Sequence, residues 1–265
     1  MEKKLLALDL DGTTFGEHGV LSPGNRRALE AARGAGAVVC FVSGRKNLRR
    51  IEHITGLADY ILLNNGGTLL KMPQREQVYT TLVRRRDLER LLAFCNSHDV
   101  MLHMIQDGYW GINLVRPELP QLERRYQNRP VLYRSADDLP FETVDGFVTT
   151  GHSDLVQEFV RREGLDLHCM VSDPLTMDVM PGQVNKWYGA WRVAQLEGIP
   201  RERVIGAGNY YNDLELILGA GTGVAVRNAP ADLQAQADYV TARTNLEDAV
   251  AEIVERFILG REGTA

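Results

Sequence analysis

The chain has 265 residues, 44% hydrophobic and 25% charged, which fits one large or two moderate soluble domains with a real core. Its net charge of −5 leaves no broad basic field for a nucleic-acid backbone, and the short clusters Arg84-Arg85-Arg86 and Arg124-Arg125 read as solvated helix surfaces. Cys40, Cys95 and Cys169 are odd in number and widely spaced, against a disulfide framework or a zinc site. Asp9 cuts the first apolar run too early for a secretion signal, and no later stretch is long enough to span a bilayer, so a cytoplasmic protein is expected.

In chain order, "KLLALDL" predicts a buried strand. "SPGNRRALEAARGAG" predicts a helix with Ser22 as its N-cap, Pro23 in the first turn, and a stop at Gly34 or Gly36. "AVVCFVSG" reads as a second strand, "KNLRRIEHITGL" as a second helix, and "YILLNNGGTLL" as a third strand running into an Asn/Gly turn. This βαβαβ order predicts a doubly wound, Rossmann-like α/β core with a parallel sheet. From 83 to 180 the pattern changes to apolar–polar alternation, with hairpins at Asp107-Gly108 and Asp173-Pro174 and helices near 87–97, 117–128 and 153–163. That block predicts an inserted α+β domain, leaving 1–82 and 181–265 as the core. The last third returns to strand–helix alternation, from the helix "NKWYGAWRVAQLEGI" through the strand "RVIGAGN" to the terminal helix "NLEDAVAEIVERFIL".

Ligands of open parallel sheets bind beyond the carboxyl ends of the strands. Asp9 and Asp11 fall at one such end, in "LALDLDGTTF". Ser43 and Gly44 follow the second strand, Asn65 the third, and Asn209, Asn212 and Asp213 the strand "RVIGAG". Lys186 opens a helix after a glycine turn, so its ammonium is expected at the same edge. Asp9, Asp11 and Asp213 would repel one another without a cation, and hard oxygen ligands suit Mg²⁺. A cation, a lysine and a hydroxyl around one point describe a phosphate site. A carboxylate beside a bound phosphoryl group can attack it, and a second carboxyl can protonate the leaving oxygen and then activate water.

Four stretches in order, "DLDGT" (Asp9 to Thr13), "SGR" (Ser43 to Arg45), Lys186 and "GNYYND" (Gly208 to Asp213), resemble the motifs of the haloacid dehalogenase superfamily. The inserted α+β block, "NGG" at Asn65 to Gly67, and "GAGTGVAVRNA" at Gly219 to Ala229 are similar to its Cof-type members, in which a large cap separates the second and third motifs. The resemblance implies Asp9 as nucleophile and metal ligand, and Asp11 as general acid/base with its carbonyl on the metal. It implies Ser43, Gly44, Lys186 and Asn212 around the phosphoryl group, and Asn209 and Asp213 completing the Mg²⁺ site. The subfamily carries Asp where this chain has Asn209; the amide keeps an oxygen but loses a charge.

The expected function is a Mg²⁺-dependent phosphatase of small phosphorylated metabolites, sugar phosphates first, with nucleotides, flavin mononucleotide and pyridoxal phosphate left open. The cap is expected to close over the leaving group, against a protein substrate. Arg45 beside the phosphate loop, Asn65, and His103, Asn113, Arg116, His152 and Asp178 on the inserted block are the candidates for substrate contact. Two alternatives use the same residues: a phosphoryl-transfer mutase, or a sugar-phosphate-binding protein of low turnover.

Overall fold

The computed structural model describes residues 2–106 and 108–261, so Asp107 of the expected Asp107-Gly108 turn lies outside them. The chain divides into two compact units, Met1–Tyr79 with Asn185–Ala265, and Thr80–Val184.

The first unit opens with strand β1 (Leu5–Asp9), helix α1 (Pro23–Gly34), β2 (Val38–Val42), β3 (Tyr60–Leu63), β4 (Thr68–Lys71) and β5 (Glu76–Thr80). The second contains α2 (Arg85–Ser97), β6 (Met101–Gln106), β7 (Tyr109–Ile112), α3 (Leu119–Tyr126), β8 (Val131–Leu132), β9 (Phe147–Thr150), α4 (Ser153–Arg162), β10 (Leu167–Val171) and β11 (Thr176–Pro181). The chain then returns to the first unit with α5 (Lys186–Leu196), β12 (Val204–Gly208), α6 (Leu214–Gly219), β13 (Thr222–Ala225), α7 (Ala231–Gln234), β14 (Tyr239–Val240) and α8 (Ala249–Phe257).

The core sheet runs β14-β13-β12-β1-β2-β3-β4-β5. The chain leaves β1 toward β2 but leaves β12 toward β13, the opposite direction. The order therefore reverses between β1 and β12, where an open α/β sheet offers a crevice at its carboxyl edge. Alternate residues of each strand serve opposite faces. Leu6, Leu8, Val39, Phe41 and Ile61 pack with Leu29 and Ala32 of α1 and Val250 and Ile253 of α8. Leu5, Ala7, Val38, Cys40 and Leu62 pack with Ala190 and Val193 of α5 and Leu216 of α6. Helices on both faces make the core doubly wound, as expected.

The second unit carries a sheet of order β10-β11-β9-β6-β7-β8, antiparallel except for the parallel β7–β8 pair. Leu88, Leu91 and Leu92 of α2 and Val156 and Val160 of α4 cover one face, against Leu102, Met104 and Val179. On the other face Leu122 of α3 meets Met101, Trp110 and Ile112. This is the expected α+β cap. Among the described residues no helix is long and apolar enough to cross a membrane.

The Asn/Gly turn expected after the third strand is a hairpin: Asn64 and Asn65 both take left-handed φ (55° and 51°), and β4 returns antiparallel to β3. Two other local expectations fail for identifiable reasons. The helix expected over 46–57 is only a 3₁₀ segment, Glu52–Leu57. Asn47 Oδ1 accepts from the Arg49 amide at 3.0 Å, a side-chain turn that competes with helical bonding. The terminal helix starts late because Asp248 at φ 66° interrupts it.

Candidate active site

Every residue of β1 is buried, and register sets Asp9 beside Val42 and Leu8 beside Ala207. Ser43 and Asn209 therefore emerge from the neighbouring strands next to Asp9. The turn after β1 is closed by the Leu10 carbonyl, which accepts from the amides of Thr14 (3.0 Å) and Phe15 (2.8 Å). Gly12 sits at φ +85°, and a Cβ there would fall 2.5 Å from the Asn209 side-chain amide, so a side chain would be strained and would push Asn209 aside.

Lys186 arrives from the start of α5, whose N-cap Asn185 accepts from the Tyr188 amide at 2.7 Å. The helix reaches this edge because Gly66 lets it approach: a Cβ on Gly66 would lie 2.4 Å from the Asn185 carbonyl. Lys186 is 1% exposed and donates to Asp9 Oδ1 at 2.6 Å and to Asp213 Oδ1 at 2.5 Å. Asp213 Oδ2 accepts from the amides of Asn209 (2.8 Å) and Tyr210 (3.0 Å). Both Asp213 oxygens are thus engaged, one holding the lysine and the other the turn that carries Asn209.

Burial and the neighbouring Asp213 carboxylate push the Asp9 carboxyl up to about 7, against the pull of Lys186. Burial alone would lower the Lys186 ammonium, but Asp213 and Asp9 outweigh it and hold it above the usual lysine range. One cation serves two buried carboxylates. Buried charge partners that shift one another's protonation in this way cluster at functional sites.

The other predicted core residues join the same edge. Ser43 is 1% exposed and its Oγ accepts from the Arg45 amide at 3.1 Å. Asn65 is buried against Gly44, and Asn212 donates to its Oδ1 at 3.4 Å. Arg45, a candidate for substrate contact, grips Asp11, with Nε 2.8 Å and Nη2 2.6 Å from its carboxylate oxygens. Three participants escaped notice in the sequence. Thr13 Oγ1 lies 3.0 Å from the Asn209 amide, Thr14 Oγ1 donates to the Asp9 carbonyl at 2.5 Å, and Asn228 donates to the Gly12 carbonyl at 2.9 Å. Their only signal was membership of "DGTTF" and "VRNA".

Three of the candidates on the cap are engaged by neighbours there. His103 is fully buried, accepts from Trp110 Nε1 at Nδ1 (3.1 Å) and meets Thr150 Oγ1 through Nε2 (3.0 Å); burial pushes it down to about 3. Asn113 is consumed by the Leu102 amide, the Val100 carbonyl and Asn96. Arg116 pairs with Asp99 and Glu118. Asp178 is buried on β11, and His152 is the exposed N-cap position of α4. Alternation marked which residues were polar, not which had a neighbour to satisfy them.

Among the described residues no three His, Cys, Asp or Glu side chains are grouped to hold a metal. A mixed oxygen set does converge, however. With its amide nitrogen turned inward, Asn209 donates to Asp9 Oδ2 (3.2 Å), the Asp11 carbonyl (2.9 Å) and Thr13 Oγ1 (3.0 Å). With Oδ1 turned inward, three oxygens face one point. That donor set, one carboxylate, one peptide carbonyl and one amide oxygen, fits a hard divalent cation.

A family model described as haloacid dehalogenase-like hydrolase matches residues 6–254. The chain belongs to that family. Haloacid dehalogenase-like relatives align along nearly its whole length. The 5-amino-6-(5-phospho-D-ribitylamino)uracil phosphatase YcsE of Bacillus subtilis is 25% identical, over 97% of this chain and 96% of its own. The pyridoxal phosphate phosphatase YbhA of Escherichia coli is 26% identical, over 96% and 98%. Among solved structures, a haloacid dehalogenase-like hydrolase from Bacteroides thetaiotaomicron superposes with a TM-score of 0.79 at 25% identity, covering 96% of this chain and 99% of that one. The phosphatase BT1666 from the same organism gives 0.86 at 20% identity, covering 96% and 94%, a likeness of fold.

Proposed function

We propose that this chain hydrolyses small phosphomonoesters through an aspartyl-phosphate on Asp9, with Mg²⁺ as its metal and sugar phosphates as the first substrate class. The phosphatase class follows from the family and from full-length relatives named as phosphatases. The observation that carries the mechanism is the buried trio of Asp9, Lys186 and Asp213 at the carboxyl ends of β1 and β12. Asp9 Oδ1, beside Lys186, attacks phosphorus as the bond to the leaving oxygen breaks, and Asp11 gives that oxygen its proton. Water then attacks the acyl phosphate, Asp11 takes its proton, and the Asp9 carboxylate is restored. Lys186 and Ser43 hold the equatorial oxygens, and Asn212 and Asn65 keep the wall of that pocket in place. Mg²⁺, held by Asp9 Oδ2, the Asp11 carbonyl and Asn209 Oδ1, would supply positive charge to the phosphoryl oxygens. Asp213 serves the metal site by fixing Lys186 and the Asn209 turn.

The two named relatives act on different phosphoesters, so the phosphoryl chemistry carries over more readily than the leaving group. The same reading assigns selection of the leaving group to the cap. The test is phosphate release from a panel of sugar phosphates, nucleoside monophosphates, flavin mononucleotide and pyridoxal phosphate, with Mg²⁺ and with EDTA. Release that requires Mg²⁺ is expected; release unchanged in EDTA would remove the metal from the proposal.

Asn209 gives a second expected result. Its amide nitrogen satisfies the same two oxygens that a metal would use, and its oxygen brings no charge. Asn209→Asp should therefore tighten Mg²⁺ binding by about tenfold or more, because ligand charge count sets the affinity of such sites. Calorimetric titration of both proteins measures it, and equal midpoints would show that position 209 does not contact the ion.

A further inference from the structure

Asp11 has a role in the proposed mechanism that its own surroundings do not secure. Its side chain is 57% exposed and stands on the turn after β1. Among the described residues its carboxylate has one partner, the Arg45 guanidinium, which meets both oxygens at 2.6 and 2.8 Å. Arg45 is better fixed than the residue it holds. Its amide donates to Ser43 Oγ at 3.1 Å, its carbonyl accepts from the Asn64 amide at 2.9 Å, and its side chain is 24% exposed. The guanidinium carbon stands 5.9 Å from the ring centroid of Phe15, which is fully buried. Arg45 therefore ties the loop after β2 to the turn after β1.

We propose that Arg45 is a positioning residue for the acid/base step, fixing the plane and reach of the Asp11 carboxyl through its two-pronged contact. This rests on the reading of Asp11 given above. A guanidinium fork fixes the orientation of a carboxylate, whereas an ammonium supplies a point charge without a plane. When Asp11 carries the proton that the leaving oxygen will take, one prong opens and the other still holds the carbonyl oxygen. The proton passes to the ester oxygen as the phosphorus–oxygen bond breaks, and the second prong closes again on the carboxylate.

The test separates esters by their need for that proton. An alkyl phosphate must have its leaving oxygen protonated, while p-nitrophenyl phosphate releases a phenolate that leaves unaided. First-turnover release of alcohol or phenol, in Mg²⁺, isolates bond breaking from the later hydrolysis of the intermediate. Arg45→Gln should slow the alkyl ester about tenfold or more and the nitrophenyl ester less than about threefold, with Arg45→Lys close to Arg45→Gln. Asp11→Asn should show the same selectivity, larger. An ion pair this exposed adds little to stability, and thermal melts check that the variants fold. Equal slowing of both esters in Arg45→Gln, beside a selective Asp11→Asn, would place Arg45 on the phosphoryl group and overturn the inference. No slowing of either ester, or full activity in Arg45→Lys, would overturn it as well. An unselective Asp11→Asn would sink the acid/base reading itself, and the inference with it.

Discussion

Asp9→Asn is expected to abolish phosphate release, by at least about a thousandfold, and to make the metal-free protein more stable. In the proposed mechanism the first effect follows from the loss of the attacking oxygen, because an amide oxygen beside an ammonium is a poor nucleophile. The second follows from the proton balance. Burial and Asp213 raise the Asp9 carboxyl from the usual value near 3.8 to about 7. Between those values the folded chain binds more protons than the unfolded one, so stability falls as pH rises through the window and the full loss is present above pH 7. Three units correspond to about 4 kcal/mol at most. At about 2–4 °C per kcal/mol, even half of that raises the melting temperature by several degrees. Asn has no charge to bury, so the variant escapes the loss at pH 8 and gains nothing at pH 4. Saturating Mg²⁺ should narrow the difference, since an ion that binds only the folded parent stabilises it. Melting curves in EDTA at pH 4 and pH 8, with the same scans in Mg²⁺, measure this. A variant that keeps its activity would remove Asp9 as nucleophile; one that melts no higher at pH 8 would show that the Asp9 charge is fully compensated by Lys186.

The core and its site were legible because their signals are local. An apolar run ending in Asp9-Leu10-Asp11-Gly12 states both the strand and its polar end, and β1, β2 and β12 each did so within a few residues. The order of those strands in the sheet then brought Asp9, Ser43, Asn209 and Asp213 together without further information. What escaped reading depends on partners far away in sequence. Arg45 follows a phosphate-type loop, and only the fold shows Asp11 within reach of its guanidinium. His103 and Asn113 look alike as polar residues in strands; that Trp110, Thr150, Asn96 and Leu102 satisfy them is tertiary information. Asp213 was read as a metal ligand; only the fold adds that its carboxylate meets Lys186 and two peptide amides. The failed helix after Ser43 has a similar cause. Residues 46–57 have acceptable helix propensity, but Arg45 is tied to Asp11, Lys46 to Asn64, and Asn47 to its own loop.

Lys186→Met should be the most damaging single change to the fold at this edge. The ammonium stands between Asp9 and Asp213, and all three are almost wholly removed from water. Taking away the cation leaves the Asp213 carboxylate buried without its counter-charge, beside an Asp9 carboxyl that Lys186 no longer helps to ionise. Breaking a buried ion pair from one side costs about 3–5 kcal/mol, because the surviving charge keeps its desolvation penalty and loses its partner. Phosphate release should fall by about a hundredfold or more, since in the proposed mechanism the same ammonium holds the transferring group. These two losses have different origins, and a second variant separates them. Lys186→Met with Asp213→Asn removes one surplus negative charge, so stability should recover by a measurable fraction while activity does not. The cycle of both single variants and the double variant gives the coupling directly. Denaturant midpoints and phosphate release on the same four proteins are the measurements. Additive stability losses would mean that the short contacts from Lys186 to Asp213 and Asp9 contribute little to the fold. Activity returning with stability would mean that Lys186 serves the catalytic step only by keeping the strand ends in place.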